Sequence, residues 1–397
     1  MAGSPATEGQ DRIAELLVSC AHSRLSGLQV DRIRAAVRSG VVWPDVLQSA
    51  IDHGVWPLLH TSLKTACPRE VPEDVRHELA DRFLENAQRN LHLARELGAI
   101  VALLAAHGID SIPFKGPVLT QAAYGSLALR QFQDLDILVR VHQLARAKQL
   151  LMARGYRVPH AAARPEGSHE CRLEHERTLV LIELHWRLTP RHWPFDLDLE
   201  ILWQRSQPCT LAGQQMLQLP PPENLVVLCV HGAKHQWSRL DWVCCVAELL
   251  RAHPEVDWRR VQELARSSNS ERVLYLGLAL ARELLDAVLP VSIVRAVAED
   301  ESIPPLVSEV RQRMFGRTGR ELDPFAHAAF YFRMRERVQD KVPFFIHRAR
   351  SLLAAAEENG KGVRLPRFCA FLSYLIVPVR LARKYGLLRI LRHVLGR

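Results

Sequence analysis

Apolar residues recur with helical spacing toward both ends of the chain and with two-residue spacing in its middle. Ile13, Leu16, Leu17 and Cys20 form one stripe and Val46, Leu47 and Ile51 another, broken by Gly40, Pro44 and Pro57. This predicts a small helical cap. A longer stripe follows Pro72, through Leu79, Phe83, Ala87, Leu91, Ala94, Leu97, Ile100 and Leu104 to Gly108, with Glu73 and Asp74 in a first turn where the helix dipole favours carboxylates. At about 1.5 Å per residue such a helix is a rod of roughly 45–50 Å. It should span more than one layer of the fold.

After Gly108 the period changes. Ile109–Phe114 is a short apolar stretch, Pro117–Ala128 reads as helix, and Leu135–Arg140 alternates with Leu135, Ile137 and Val139 on one face. A helix through Leu144, Leu150 and Leu151 to Gly155 is followed by strand-like runs at Tyr156–Pro159, Glu170–Glu176 and Leu179–Trp186, the last two predicting a hairpin joined at Arg177–Thr178. From Pro220 helical patterns return over Asn224–Gln236, Leu240–Ala252, Trp258–Ser267 and Ser270–Leu289, with Pro304–Pro305 and Arg320–Pro324 as candidate linkers. The expected fold is α+β, a small mixed sheet between helical flanks. The expected regions are 1–106 (helical, ending in the long helix), 107–215 (α/β core), 216–360 (helical) and 361–397 (basic and amphipathic).

A chain of 397 residues with 48% hydrophobic and 24% charged content is neither disordered nor a disulfide-stapled miniprotein. Its eight cysteines form no C-x-x-C pair, and no basic-then-apolar secretory layout opens the sequence, so a reducing cytoplasm is the expected compartment. The run Phe368–Val379 is too short to cross a bilayer, which needs about 20 apolar residues. The net charge of +9 is concentrated: nine cations and no carboxylate lie between Lys361 and Arg397, which leaves residues 1–360 neutral. Tyr385–Arg397 reads as an amphipathic helix that would pack on its own fold or dock on an anionic membrane or an acidic partner. Nucleic acid is not the expected partner, because no basic stretch is interleaved with aromatic residues.

The chemistry-bearing stretch runs from Phe114-Lys-Gly-Pro117 through Tyr124 and Arg130 to Gln133-Asp-Leu-Asp-Ile-Leu-Val139. Asp134 and Asp136 lie two apart on a strand, so both carboxylates project from one face while Leu135 and Ile137 enter the core on the other. Such a pair suits a hard divalent cation, Mg²⁺ or Mn²⁺. Glu183 and His185 share one face of Leu181-Ile-Glu-Leu-His-Trp186; a strand laid beside the aspartate strand would bring Glu183 into a three-carboxylate cluster. Like charges so close raise each other's pKa, and bound cations relieve that cost. His185, on the same face, would orient a carboxylate or touch the substrate.

These motifs together, F-K-G-x-x-L, a Tyr, an Arg, D-x-D-h-h-V and h-E-L-H-W, resemble the uncharacterised bacterial nucleotidyltransferases of the polymerase-β-like superfamily. The resemblance implies transfer of a nucleoside monophosphate from an NTP, with ATP the expected donor, to an acceptor of unknown identity, a small molecule or a peptide. It implies metal ligation by Asp134, Asp136 and Glu183, and a Lys115-Gly116 turn near the triphosphate with Arg130 close by. The superfamily's glycine turn usually lies nearer the first aspartate; Gly125-Ser126 is closer in sequence and is read as the end of the intervening helix. Two alternatives remain: a non-catalytic nucleotide-sensing or partner-binding module on the same fold, and transfer of another phosphate-linked group.

His231-Gly-Ala-Lys-His235-Gln-Trp237 places two histidines at i, i+4 on a helix, but Gly232 occupies the position of the glutamate in H-E-x-x-H. A metalloprotease is not expected. By the same resemblance Lys234 and His235 would touch phosphate or base, and similar proteins carry an aspartate where Cys245 lies. Adjacent Cys244 and Cys245 point about 100° apart on a helix and are read as packing residues.

Overall fold

The computed structural model describes residues 5–159, 169–190, 193, 195, 197–316 and 324–336. Four helices open it: α1 (Pro5–Cys20), α2 (Gly27–Arg38), α3 (Trp43–Asp52) and α4 (Trp56–Ala66). The long helix α5 spans Glu73–Ala106, with Glu73 and Asp74 in its first turn as the dipole argument requires. There follow β1 (Ser111–Pro113), α6 (Gly116–Leu119), β2 (Asp134–Val139), α7 (Leu144–Ala153), β3 (Tyr156–Arg157), β4 (Glu170–His175) and β5 (Leu181–His185). Next come α8 (Leu199–Arg205) and a hairpin, β6 (Gln207–Leu211) with β7 (Gln214–Gln218), which the apolar pattern did not signal. The remaining helices are α9 (Pro221–Lys234), α10 (Leu240–Ala252), α11 (Trp258–Ser267), α12 (Glu271–Leu285), α13 (Val291–Glu299), α14 (Ile303–Phe315) and α15 (Pro324–Met334).

The fold is α+β. Its main sheet has the order β1-β2-β5-β4-β3, in which β2 and β5 run parallel and the other neighbours antiparallel. Because strand residues alternate between faces and cross-strand partners share one, the register sorts every side chain. Leu135, Ile137 and Val139 of β2, Ile182 and Leu184 of β5 and Leu173 of β4 enter a core with α5 and α7. The other face carries two rows, Asp136–Glu183–Arg172 and Leu138–His185–Glu170. A second core joins α1–α4 to α9–α12 and α14, so the polar face of the sheet meets a helical body built from both ends of the chain.

Two local expectations are corrected. The helix after Pro117 stops short of Ala128: α6 continues as a π-helical turn, Thr120–Tyr124, and Gly125 in the left-handed region (φ 72°) ends it. This agrees with reading Gly125-Ser126 as a helix end. Pro304 and Pro305 are not a linker; they open α14, where the missing N–H groups of proline cost no helical bond. The basic segment 361–397 and the Arg320–Pro324 linker, apart from Pro324 at the start of α15, lie outside the described residues. Among the described residues no helix is long and apolar enough to cross a membrane.

Candidate active site

Parallel pairing of β2 with β5 sets Asp136 directly opposite Glu183, with Leu138 opposite His185. On the other side of β2, β1 pairs antiparallel through Pro113 and Ile137, and Phe114 continues the ladder by donating its N–H to the Asp136 carbonyl at 3.3 Å. That delivers Lys115 onto the aspartate: Lys115 Nζ lies 2.5 Å from Asp136 Oδ1. Gly116 follows at φ +50°, and a Cβ there would lie 3.2 Å from the Asp134 carbonyl oxygen. Both the backbone angle and the close approach therefore call for glycine at this turn.

Asp136 is buried and is approached by two side chains, Lys115 and His185. His185 Nε2 lies 3.1 Å from the same Oδ1, and its Nδ1 lies 3.6 Å from Glu170 Oε2. Burial alone would push the Asp136 carboxyl up, but Lys115 and His185 hold it well below the ordinary carboxylate range. Burial likewise opposes charge on His185, yet its bonds to Asp136 and Glu183 raise it above the ordinary imidazole value. Asp134, at the start of β2, goes the other way: burial, then the charge of Asp136, push it up to about 6. This end of the cluster is short of positive charge.

The cluster opens into a cleft of about 440 Å³ between the sheet and the α9–α10 helices, lined among others by Lys115, Gly116, Arg130, Asp134, Asp136 and Glu183. Lys234, His235, Arg239 and Trp242 line its helical wall. Lys234 Nζ lies 3.2 Å from His169 Nε2 and 3.9 Å from Glu170 Oε2, so it neutralises the acid behind His185. Arg130 Nε donates to Cys245 Sγ at 3.2 Å, and Tyr124 donates its hydroxyl to the same sulfur at 3.7 Å. Arg130 Nη1 is buried without a hydrogen-bond partner. Asp241, one turn before Cys245, is bound by Arg239 instead (3.0 Å).

A family model of uncharacterised nucleotidyltransferases matches residues 39–286. The chain belongs to that family. No curated protein and no solved structure matches it. The match covers the sheet, the cleft and its α9–α10 wall.

Of the residues singled out in the sequence, Lys115, Gly116, Arg130, Asp134, Asp136, Glu183, Lys234 and His235 are brought together around one cleft. His185 sits behind Asp136 rather than in the lining, with both ring nitrogens directed at carboxylates. His231 and His235 lie with ring centroids 4.8 Å apart, but neither belongs to a candidate metal-ligating group among the described residues. Cys244 and Cys245 are both buried and form no disulfide; Cys245 does more than fill space, since its sulfur accepts from Arg130 and Tyr124. Sequence reasoning missed Glu170 at the start of β4 and His169 just before it; the only signal there was the alternation of a hairpin strand. It missed Arg239 and Trp242 as cleft residues because their place follows from how α10 packs.

A divalent cation fits this donor set. Asp136, Glu183 and His185 offer ligand atoms within 4.8 Å of one another, and Asp134 lines the same cleft without belonging to that group. Hard oxygen donors of this kind suit Mg²⁺ or Mn²⁺.

Proposed function

We propose that this protein transfers a nucleoside monophosphate from an NTP, ATP by expectation, to a hydroxyl or phosphate group of a small molecule or peptide. The observation that carries the reading is the parallel β2–β5 register, which sets Asp136 against Glu183 in the wall of a cleft also lined with cations. Asp134, Asp136 and Glu183 would hold Mg²⁺ or Mn²⁺. When bound, such a cation supplies charge neutralisation at the triphosphate and a lower pKa for the attacking hydroxyl.

The remaining work falls to the chain's own side chains. Lys115 and Lys234 enter the cleft from opposite walls and provide point charges for phosphate oxygens, and Arg130 contributes planar donors. Gly116 lets the backbone come close to phosphate without a Cβ in the way. His185, pinned between Asp136 and Glu170, fixes the orientation of the Asp136 carboxylate. The acceptor oxygen attacks the α-phosphorus and pyrophosphate leaves.

Pyrophosphate release from labelled NTP, measured with Mg²⁺ over a panel of hydroxyl and phosphate acceptors, tests the reading. Asp136→Ala and Glu183→Gln should each abolish release while the fold, followed by circular dichroism, persists. Unchanged release in Asp136→Ala refutes the assignment. Tight NTP binding with no release over the whole panel selects the nucleotide-sensing alternative.

A further inference from the structure

The cleft lining is of two chemical kinds. Carboxylates and ammonium groups make up one part; His231, His235 and Trp242 form an aromatic wall beside them. The His235 ring lies 5.0 Å from the Trp242 ring at an interplanar angle of 35°, and His231 meets Trp242 edge-on, 5.8 Å away at 90°. The Arg239 guanidinium, held by Asp241, lies 5.8 Å from the Trp242 ring centre.

This wall is distinct from core packing. In the same stretch of chain, Trp237 is wholly buried, seated against Gly232 and Gly277, where any Cβ would fall within 2.5–3.1 Å of its ring or of Cys229. Neither His235 nor Trp242 belongs to the buried core, and both line the cleft. The loop that separates them holds two consecutive non-glycine residues, Gln236 (φ 55°) and Trp237 (φ 52°), in the left-handed region. That conformation is costly for side-chain-bearing residues and persists where surrounding structure enforces it, most often at working sites. Here the Trp237 N–H donates to the Gly232 carbonyl at 2.8 Å, and Arg313 donates to the Gln236 side-chain oxygen at 2.8 Å.

From this arrangement we infer that the His231–His235–Trp242 wall is the subsite for the nucleobase, the flat heterocycle stacking on the wall while the phosphates extend past Lys234 toward Lys115 and the carboxylates. The inference rests on the nucleotide reading above. Lys234 immediately precedes His235 and lines the same cleft as Lys115 and the carboxylates, so both kinds of contact are offered within one cleft. Burial and the neighbouring Lys234 push His235 down to about 4, and burial also lowers His231, so at neutral pH the wall presents uncharged rings. Uncharged rings offer stacking faces that tolerate any base and do not compete with the lysines for phosphate.

Calorimetry in Mg²⁺ with two probes tests this: an ATP analogue carrying a methylene bridge between its α and β phosphates, and base-free inorganic tripolyphosphate. Trp242→Leu should weaken the analogue roughly ten- to hundred-fold, the usual loss for one stacked base, and leave tripolyphosphate unchanged. Trp242→Phe, which keeps a ring, should retain most of the analogue affinity, while unchanged tripolyphosphate binding shows that the leucine variant is folded. Equal weakening of both probes, or no weakening of the analogue, overturns the subsite and leaves the phosphate contacts standing. A wild-type protein that binds neither probe overturns the nucleotide reading, and this subsite with it.

Discussion

Asn90, wholly buried in the middle of α5, donates its side-chain amide to the carbonyls of both Leu127 (2.6 Å) and Arg130 (2.7 Å). One turn earlier Asn86 donates to the Ala128 carbonyl at 3.0 Å, and Arg89 to the Phe132 carbonyl at 2.5 Å. The long helix thus grips, through one polar stripe at i, i+3 and i+4, the irregular segment that carries Arg130 and leads into Asp134. Asparagine is a poor helix former by up to about 0.7 kcal/mol. Its place here follows from the backbone carbonyls it satisfies.

Asn90→Ala should therefore lower stability by about 1–3 kcal/mol, the cost of leaving buried carbonyls unpaired, despite alanine's better helix propensity. Urea unfolding measures it. Turnover should fall more in Asn90→Ala than in Asn86→Ala, because only Asn90 holds the Arg130 carbonyl below 3 Å. An Asn90→Ala protein as stable as wild type would show that the clamp is not needed.

The Lys115–Asp136 pair should behave as one energetic unit. Removing either partner leaves the other's charge buried, whereas removing both leaves none of that imbalance. A double-mutant cycle of Lys115→Met and Asp136→Asn, read by urea unfolding, should return a coupling of about 1–3 kcal/mol. All three variants should lose activity. Additive stability losses would mean that His185 alone holds the aspartate.

Gly232→Ala sets two effects against each other. Alanine in a helix gains about 1 kcal/mol over glycine, while overpacking a fixed core costs about 1–3 kcal/mol. The added Cβ would fall 2.5–2.6 Å from the Trp237 ring, which is itself backed by Gly277. With nowhere for the indole to move, packing should win by up to about 2 kcal/mol on those two figures, and nucleotide affinity should fall as the 235–239 loop shifts. A melting temperature that rises would contradict the wedge.

Acid should weaken the fold through His22. Burial, then the nearby Arg251, push this imidazole down to about 4; Arg251 Nη2 donates to its Nδ1 at 2.9 Å. A folded-state value below the unfolded one means that full stability is present above pH 6.5. As pH falls toward 4 the unfolded chain takes up a proton that the folded chain refuses. The loss approaches roughly 3 kcal/mol for a shift of this size. Melting temperature followed from pH 7.5 to 4.5 should decline, and His22→Gln should flatten that decline.

Periodicity by itself determined a good part of this protein. Helical stripes located α5, α9, α10, α11 and α12 to within a few residues, because an amphipathic face must recur every 3.6 residues to be buried. Two-residue alternation placed β2, β4 and β5 and put Asp134, Asp136, Glu183 and His185 on polar faces. The residues between Phe114 and Trp186 also carried enough of the motif to indicate the family. The tertiary structure decided what alternation along one strand cannot encode. Which strand lies beside which, and in what register, set Asp136 against Glu183 and His185 against Glu170. Only packing showed that Lys115 lies on Asp136, that asparagines in a helix interior hold the Arg130 loop, and that Trp237 is a wedge while Trp242 faces the cleft. Local patterns follow from burying one face of one element; a site is made where several elements meet, and their meeting is fixed by contacts between residues far apart in the chain.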